Sequence, residues 1–265
     1  MMADWGEDEV RVKPRIGVCA AFELGYDILK FVSQQNSDIE FVATSEKDDS
    51  EYQKKIFDLC EKTNTKTFIR INGNEESFVS YLTQEDIDII ILAWWPTIIK
   101  SKAINSVNIG WVNLHHSFLP YGRGKHGYIW SIVEDSPFGV TIHFIDDGID
   151  TGPILFQKSI PITIEDTGQS LYKKGVEEVI NLFKTKYSDI VSLNFTPEKQ
   201  DNGSPTFHYA YEIYNETKID LNKKYKAIDI INLIRARTFW DGPSAIINHN
   251  GSDYHIRLEI EKVLG

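Results

Sequence analysis

A chain of 265 residues, 42% hydrophobic and 25% charged, is long enough to bury a core and fits one α/β domain with an appendage or two modest domains. A formal charge of −11, from 28 basic and 39 acidic residues, repels phosphate backbones, and KTNTKTFIR (62–70) is too thin a basic patch to offset it, so no nucleic-acid partner is expected. No run reaches the roughly 18 apolar residues that span a bilayer, and the acidic start MMADWGEDEV has no signal-peptide pattern. A cytoplasmic protein without a membrane partner is the expectation, with Cys19 and Cys60 as free thiols.

Residues 1–14 read as a flexible N-terminal segment. RIGVCA (15–20) then reads as a buried strand and AFELGYDILKFVSQ (21–34) as a helix, with Leu24, Ile28, Phe31 and Val32 at helical spacing. DIEFVATSEK is a second strand, SEYQKKIFDLCEKT and NEESFVSYLTQE are helices, and DIIILAWW (88–95) is a strand of the kind buried on both faces. GWVNLHH (110–116) supplies another strand. This alternation predicts a Rossmann-like, doubly wound, mostly parallel sheet. GVTIHFI alternates, a turn-rich DDGIDTGP follows, and ILFQKSI and a helix over 166–187 come next. The polar stretch PEKQDNGSP (197–205) is the candidate boundary between a catalytic domain, 15–200, and a small α+β extension, 201–265. That extension holds an aromatic segment (FHYAYEIYN), a helix (YKAIDIINLIRART) and a hairpin turning at Asn250-Gly251.

Neither G-x-G-x-x-G nor a Walker pattern follows the first strand, so the α/β reading implies neither NAD nor ATP. Asn113 and His115, two apart on a strand, share a face, and Asp150 sits in the small-residue turn GIDTG. An amide donor, an imidazole and a carboxylate suit acyl transfer, although a purely structural role for each is the alternative. Ser117 is the only nearby nucleophile candidate, which favours direct transfer over a covalent enzyme intermediate. His116 and His143 read as supporting or structural. His115, His116, His126 and His143 lack the tight spacing of zinc ligands, so no metal is expected. Trp94 and Trp95 are either core aromatics or the wall of a flat ligand site. Arg123 and Lys125 in YGRGK either hold an anion or lie in a solvated loop.

NLHHSFLPYGRG (113–124) closely resembles the N-x-H-P-S-L-L-P-x-x-x-G signature of the N10-formyltetrahydrofolate-dependent formyltransferase family. HFIDDGIDTGPILFQKSIPI (143–162) resembles that family's second signature, and the likeness extends over 15–195. His116 stands where proline is usual, and Phe118 where leucine is. The resemblance implies the formyltransferase fold, N10-formyltetrahydrofolate as co-substrate, and Asn113, His115 and Asp150 as the catalytic triad. It implies that Asn113 polarises the formyl carbonyl, that His115 assists proton removal from the amine, and that Asp150 sets the imidazole and relays a proton toward N10. It places the pterin against Leu92, Trp94, Trp95 and Ile98, and against Ile145, Asp146 and Asp147. Ser117, Tyr121, Arg123 and Lys125 become substrate contacts, the last two toward a pyrophosphate. The chain looks most like bacterial nucleotide-sugar N-formyltransferases. That implies a dTDP- or GDP-linked 4-amino-4,6-dideoxy sugar for O-antigen or lipopolysaccharide synthesis, and a homodimer. Methionyl-tRNA or another small amine is the alternative acceptor, and a catalytically silent binding protein the alternative of another class.

Overall fold

The computed structural model describes residues 13–35, 39–200, 205–215, 218–239 and 244–263. Residues 1–12 of the expected flexible segment lie outside these. The chain divides into two compact units, 1–111 with 186–195, and 112–185 with 196–265.

The first unit alternates strand and helix: β1 (Ile16–Ala20), α1 (Phe22–Val32), β2 (Ile39–Ser45), α2 (Glu51–Thr63), β3 (Lys66–Ile71), α3 (Glu76–Gln84), β4 (Ile89–Ala93) and α4 (Ser101–Ile104). Every residue of β1 and β4 is buried, as an uninterrupted apolar run requires when both faces are covered. Val18 pairs in parallel with Val42 on one side and Ile91 on the other. Helix α1 buries Leu24, Ile28, Leu29 and Val32, and Gly25 lets it close onto Ala20 and the Ala93 carbonyl. Ser50 caps α2 by accepting from the Tyr52 N–H, and Asn64 ends it in the left-handed region. Strand β3 was not legible in sequence. Its residues 66, 69 and 70 are exposed, as at the edge of a sheet, so KTFIRI lacks the apolar run that marks β1 and β4. Phe68 nevertheless packs edge-on against Phe41 and Phe78. The order β3-β2-β1-β4 reverses between β1 and β4, the point at which such sheets open a crevice beyond their carboxyl ends.

Strand β5 (Gly110–His115) carries the chain into the second unit, which continues through β6 (Arg123–Gly124), α5 (Gly127–Val133), β7 (Gly139–Phe144), β8 (Ile154–Ser159) and α6 (Gly168–Val191). After α6 come β9 (Phe207–His208), α7 (Glu212–Asn215), β10 (Lys218–Ile219), α8 (Ala227–Ala236), β11 (Ala245–His249) and β12 (Ser252–Ile256). Strands β5, β7 and β8 pair antiparallel, and the seven-stranded order reads β3-β2-β1-β4-β5-β7-β8. The fold is therefore α/β with a mostly parallel sheet and a smaller C-terminal α+β extension. A core of Tyr128, Ile129, Ile132, Phe138, Leu171, Ile213 and Ala236 joins α5, α6, α7 and α8. In the extension, β11 and β12 form a hairpin in which His249 pairs with Ser252. Its two-residue turn has φ of 51° at Asn250 and 81° at Gly251, the combination that an Asn-Gly pair adopts most easily. Among the described residues no helix is long and apolar enough to cross a membrane.

Candidate active site

Strand period two puts Asn113 and His115 on one face of β5, and the antiparallel register sets Asn113 opposite His143 on β7. The Asn113 amide nitrogen lies 3.2 Å from His143 Nε2, and His143 Nδ1 lies 2.7 Å from the Phe144 carbonyl. A carbonyl can only accept, so Nδ1 carries the proton and Nε2 receives the Asn113 N–H. This fixes which way the amide faces and leaves its second N–H for another acceptor. His143 is 1% exposed, and burial pushes its pKa down to about 4 against the attraction of Asp150. It is a neutral acceptor at neutral pH.

His115 is also buried, with Nε2 at 3.2 Å from the Gly122 carbonyl, so Nε2–H donates and Nδ1 is the basic nitrogen. Nδ1 stands 3.9 Å from Asp150 Oδ1, and His143 Nε2 stands 3.6 Å from the same oxygen. Asp150 Oδ2 accepts from the Gly124 N–H at 2.9 Å. Burial alone would raise the Asp150 pKa, but His115, His143, the Gly124 N–H and Lys125 outweigh it and hold the carboxyl below its ordinary range. Asp150 itself has φ of 53°, uncommon for a side chain other than glycine. The turn before it is held by Asp146 Oδ1, which accepts from Thr151 Oγ1 at 2.5 Å and from the Gly148 N–H at 3.1 Å.

The loop after β5 is pinned from three sides. Thr141 Oγ1 donates to the Ser117 carbonyl at 2.7 Å and accepts from the Leu119 N–H, while Gln157 Nε2 donates to the Leu119 carbonyl at 2.7 Å. Thr206 Oγ1 accepts from the Gly122 N–H at 2.7 Å, and β9 pairs with β6. Two glycines are required by close approach. A Cβ on Gly152 would collide with the Phe144 carbonyl, and one on Gly124, at φ 87°, with the His208 carbonyl.

The structure thus brings Asn113, His115 and Asp150 together, with His143 among them. Of the expected substrate residues, Ser117 is buried beneath Gly122 and Gly127, Tyr121 is half-buried and Lys125 is exposed. Arg123 is 8% exposed and directs Nε and Nη2 at Gln200 Oε1, 3.1 and 2.7 Å away. Of the expected pterin residues in the first unit, Leu92 is buried, Trp94 is half-buried at φ 62°, Trp95 is half-buried against Gly73, and Ile98 is exposed. In the second unit Ile145 and Asp146 are half-buried and Asp147 is exposed. His116, at the usual proline position, stacks on Tyr128 and meets Tyr172 edge-on, and burial drives its pKa well below the imidazole norm. Sequence reasoning missed Gln200, which no motif or periodicity marks. Among the described residues no group of three or more His, Cys, Asp or Glu is placed to hold a metal ion.

An oriented amide N–H, a basic imidazole nitrogen and an ionised carboxylate around one another form a constellation for transferring an acyl group to an amine. The sequence matches the formyl transferase family over residues 22–185 and the N-formyltransferase dimerization C-terminal domain over residues 212–262. This chain belongs to the formyl transferase family. It is 29% identical to methionyl-tRNA formyltransferase of Lachnospira eligens over 68% of this chain and 56% of that protein. It is 28% identical to GDP-perosamine N-formyltransferase of Brucella melitensis over 71% of each. Among solved structures it resembles WlaRD, a sugar 3N-formyl transferase crystallised in the presence of dTDP and 5-N-formyl-THF. That likeness has a TM-score of 0.68 at 26% identity, covering 91% of this chain and 84% of the other. The chain spans little more than half the length of the first of these relatives.

Proposed function

We propose that this protein transfers a formyl group from N10-formyltetrahydrofolate to the amino group of a nucleotide-linked amino-dideoxy sugar, with a dTDP- or GDP-linked 4-amino-4,6-dideoxyhexose as the first candidate. The observation that carries the reading is the Asn113 amide, oriented by a neutral His143 beside the His115–Asp150 pair. The donor set fits the co-substrate, because it offers one uncommitted amide N–H for a carbonyl oxygen and an imidazole nitrogen for an amine proton. The folate supplies the activated formyl group. Asn113 donates its second N–H to the formyl oxygen, which gains charge as the amine attacks. His115 accepts the amine proton at Nδ1, and Asp150, ionised, stabilises the resulting imidazolium and relays the proton to the departing nitrogen. Ile145, Asp146 and Asp147 are proposed to meet the pterin. Lys125, exposed beside the site loop, is proposed to meet the substrate pyrophosphate.

The choice of a sugar amine draws on the C-terminal match over 212–262, on the GDP-perosamine N-formyltransferase relative, and on the net charge of −11, unfavourable for gripping RNA. The same C-terminal match supports a homodimer. Methionyl-tRNA is the second reading, on the 29% identity to the L. eligens enzyme. The test is mass spectrometry of reactions containing N10-formyltetrahydrofolate and a panel of dTDP-, GDP- and UDP-linked 3- and 4-amino sugars, with methionyl-tRNA alongside. A formylated nucleotide sugar, lost in His115→Ala and Asp150→Ala, is the expected product. Formylated tRNA with no sugar product overturns the acceptor class, and no formylation of any amine overturns the activity.

A further inference from the structure

Asp150 is held at both its ends by two consecutive residues of β6. The Gly124 N–H bonds its carboxylate directly. From the preceding residue, the Arg123 side chain reaches its backbone through one intermediary, Gln200. Gln200 is 5% exposed, and its Nε2 donates to the Asp150 carbonyl at 2.9 Å and to the Gly152 carbonyl at 2.7 Å. Its Oε1 accepts both Arg123 nitrogens. Both N–H groups of the amide face carbonyls and its oxygen faces a cation, so no other orientation of the side chain satisfies these partners. The carbonyls held are those on either side of Thr151, where the chain leaves the left-handed Asp150 and passes beneath the Phe144 carbonyl at Gly152.

We infer that Gln200, oriented by the buried Arg123 guanidinium, is a positioning residue for Asp150, fixing the strained turn that aims the carboxylate at His115. Arg123 accordingly works inward, through Gln200. The inference rests on the proposed role of Asp150 in formyl transfer. Its physical logic is that an uncommon backbone conformation persists only where surrounding bonds over-determine it. Release of the two carbonyls lets the turn relax, and a misplacement of about 1 Å at a reacting group can cost on the order of 100-fold in rate. Gln200 enters from a segment whose Glu198 bridges Ile154 on β8, so the clamp is anchored at its own base.

Three variants test this in the full chain: Gln200→Glu, Gln200→Leu and Arg123→Met. Gln200→Glu keeps an acceptor oxygen for Arg123, now charged, but replaces the amide nitrogen that donates to both carbonyls with an oxygen that can only accept. A residue needed only to satisfy the buried guanidinium would survive that change, whereas a positioning residue would not. The expected result for Gln200→Glu is a fall in kcat on the order of 100-fold, with KM for both substrates within about twofold. Combining Gln200→Leu with Arg123→Met should cost no more than Gln200→Leu alone, because the two act in series. Hydrogen exchange read by NMR gives a measure independent of turnover: the Gly124 amide, protected by the Asp150 carboxylate, should exchange faster in Gln200→Glu. Unchanged Gly124 protection together with near-wild-type kcat in that variant overturns the inference. An Arg123→Met variant that raises the nucleotide-sugar KM and adds its effect to Gln200→Leu overturns the inward role of Arg123. If the wild-type protein formylates nothing while Gln200→Glu still exposes the Gly124 amide, the clamp stands and the functional reading falls.

Discussion

His143 makes the fold sensitive to acid in a way that can be isolated. Its imidazole is neutral in the folded chain, with a pKa near 4, and regains the ordinary value of 6.5 when unfolded. Between these values the unfolded state binds a proton that the folded state refuses, so stability falls as pH falls. The contribution is fully present above 6.5 and is lost progressively down to about 4. At about 1.4 kcal/mol per tenfold change in proton affinity, the gap is worth about 3 kcal/mol. The side chain is 1% exposed, so solvent screening removes little of it. His116 and His126, also depressed by burial, titrate the same way in the wild type and in a variant, and cancel in a comparison. Urea unfolding of wild type and His143→Gln, stepped from about pH 7 to about pH 4, should show the wild type losing about 3 kcal/mol more than the variant over that interval. Parallel stability–pH curves would refute the neutral assignment of His143, and with it the fixed orientation of the Asn113 amide.

Other substitutions probe the site and its supports. Asp150→Asn keeps an oxygen for the Gly124 N–H but removes the charge facing His115; turnover should fall on the order of 10²- to 10⁴-fold with unchanged circular dichroism, and a loss of only a few-fold would contradict the proposed relay. Gly152→Ala forces the backbone away from the Phe144 carbonyl and should cost about 1–3 kcal/mol in urea unfolding together with most of the activity; an unshifted midpoint would contradict the close approach. Asp166, buried just before α6, accepts from the Thr163 N–H, Ser170 Oγ and Lys174 Nζ, and Asp166→Ala, which leaves these donors without their acceptor, should cost about 1–3 kcal/mol at neutral pH. Burial opposes the low Asp166 pKa but Lys174, Thr163 and Ser170 prevail, so the wild type should lose this advantage over the variant only as pH drops below the usual carboxylate range.

The elements most legible in sequence were those whose burial is uniform. IGVCA and IIILA became β1 and β4 because both faces are covered, and the Asn250-Gly251 pair became the hairpin turn because few other pairs accept two positive φ values cheaply. KTFIRI gives no strand signal because an edge strand needs no apolar run. At the site, Asn113 and His115 were legible through strand period, and Asp150 through the small residues around it. The role of His143 depended on which residue lies opposite it, and register across β5 and β7 is a property of two strands together. Gln200 was invisible for a further reason. An amide in a polar stretch resembles any solvated loop residue until its partners, dozens of positions away, are known.

The bridge between Ile154 and Glu198 brings the chain back to the site after the long helix α6. Every residue of the two signature segments lies before that return, as does the whole of the 22–185 family match. Gln200 and Thr206, and the strand partners Phe207 and His208, lie after it. A fragment ending at Phe195 would therefore pass as an enzyme to any reader of motifs while lacking the bonds that shape its carboxylate. In synthesis the order is the same: Asn113, His115 and Asp150 are translated first, and the residues that bond to the Asp150 turn follow only with the returning segment.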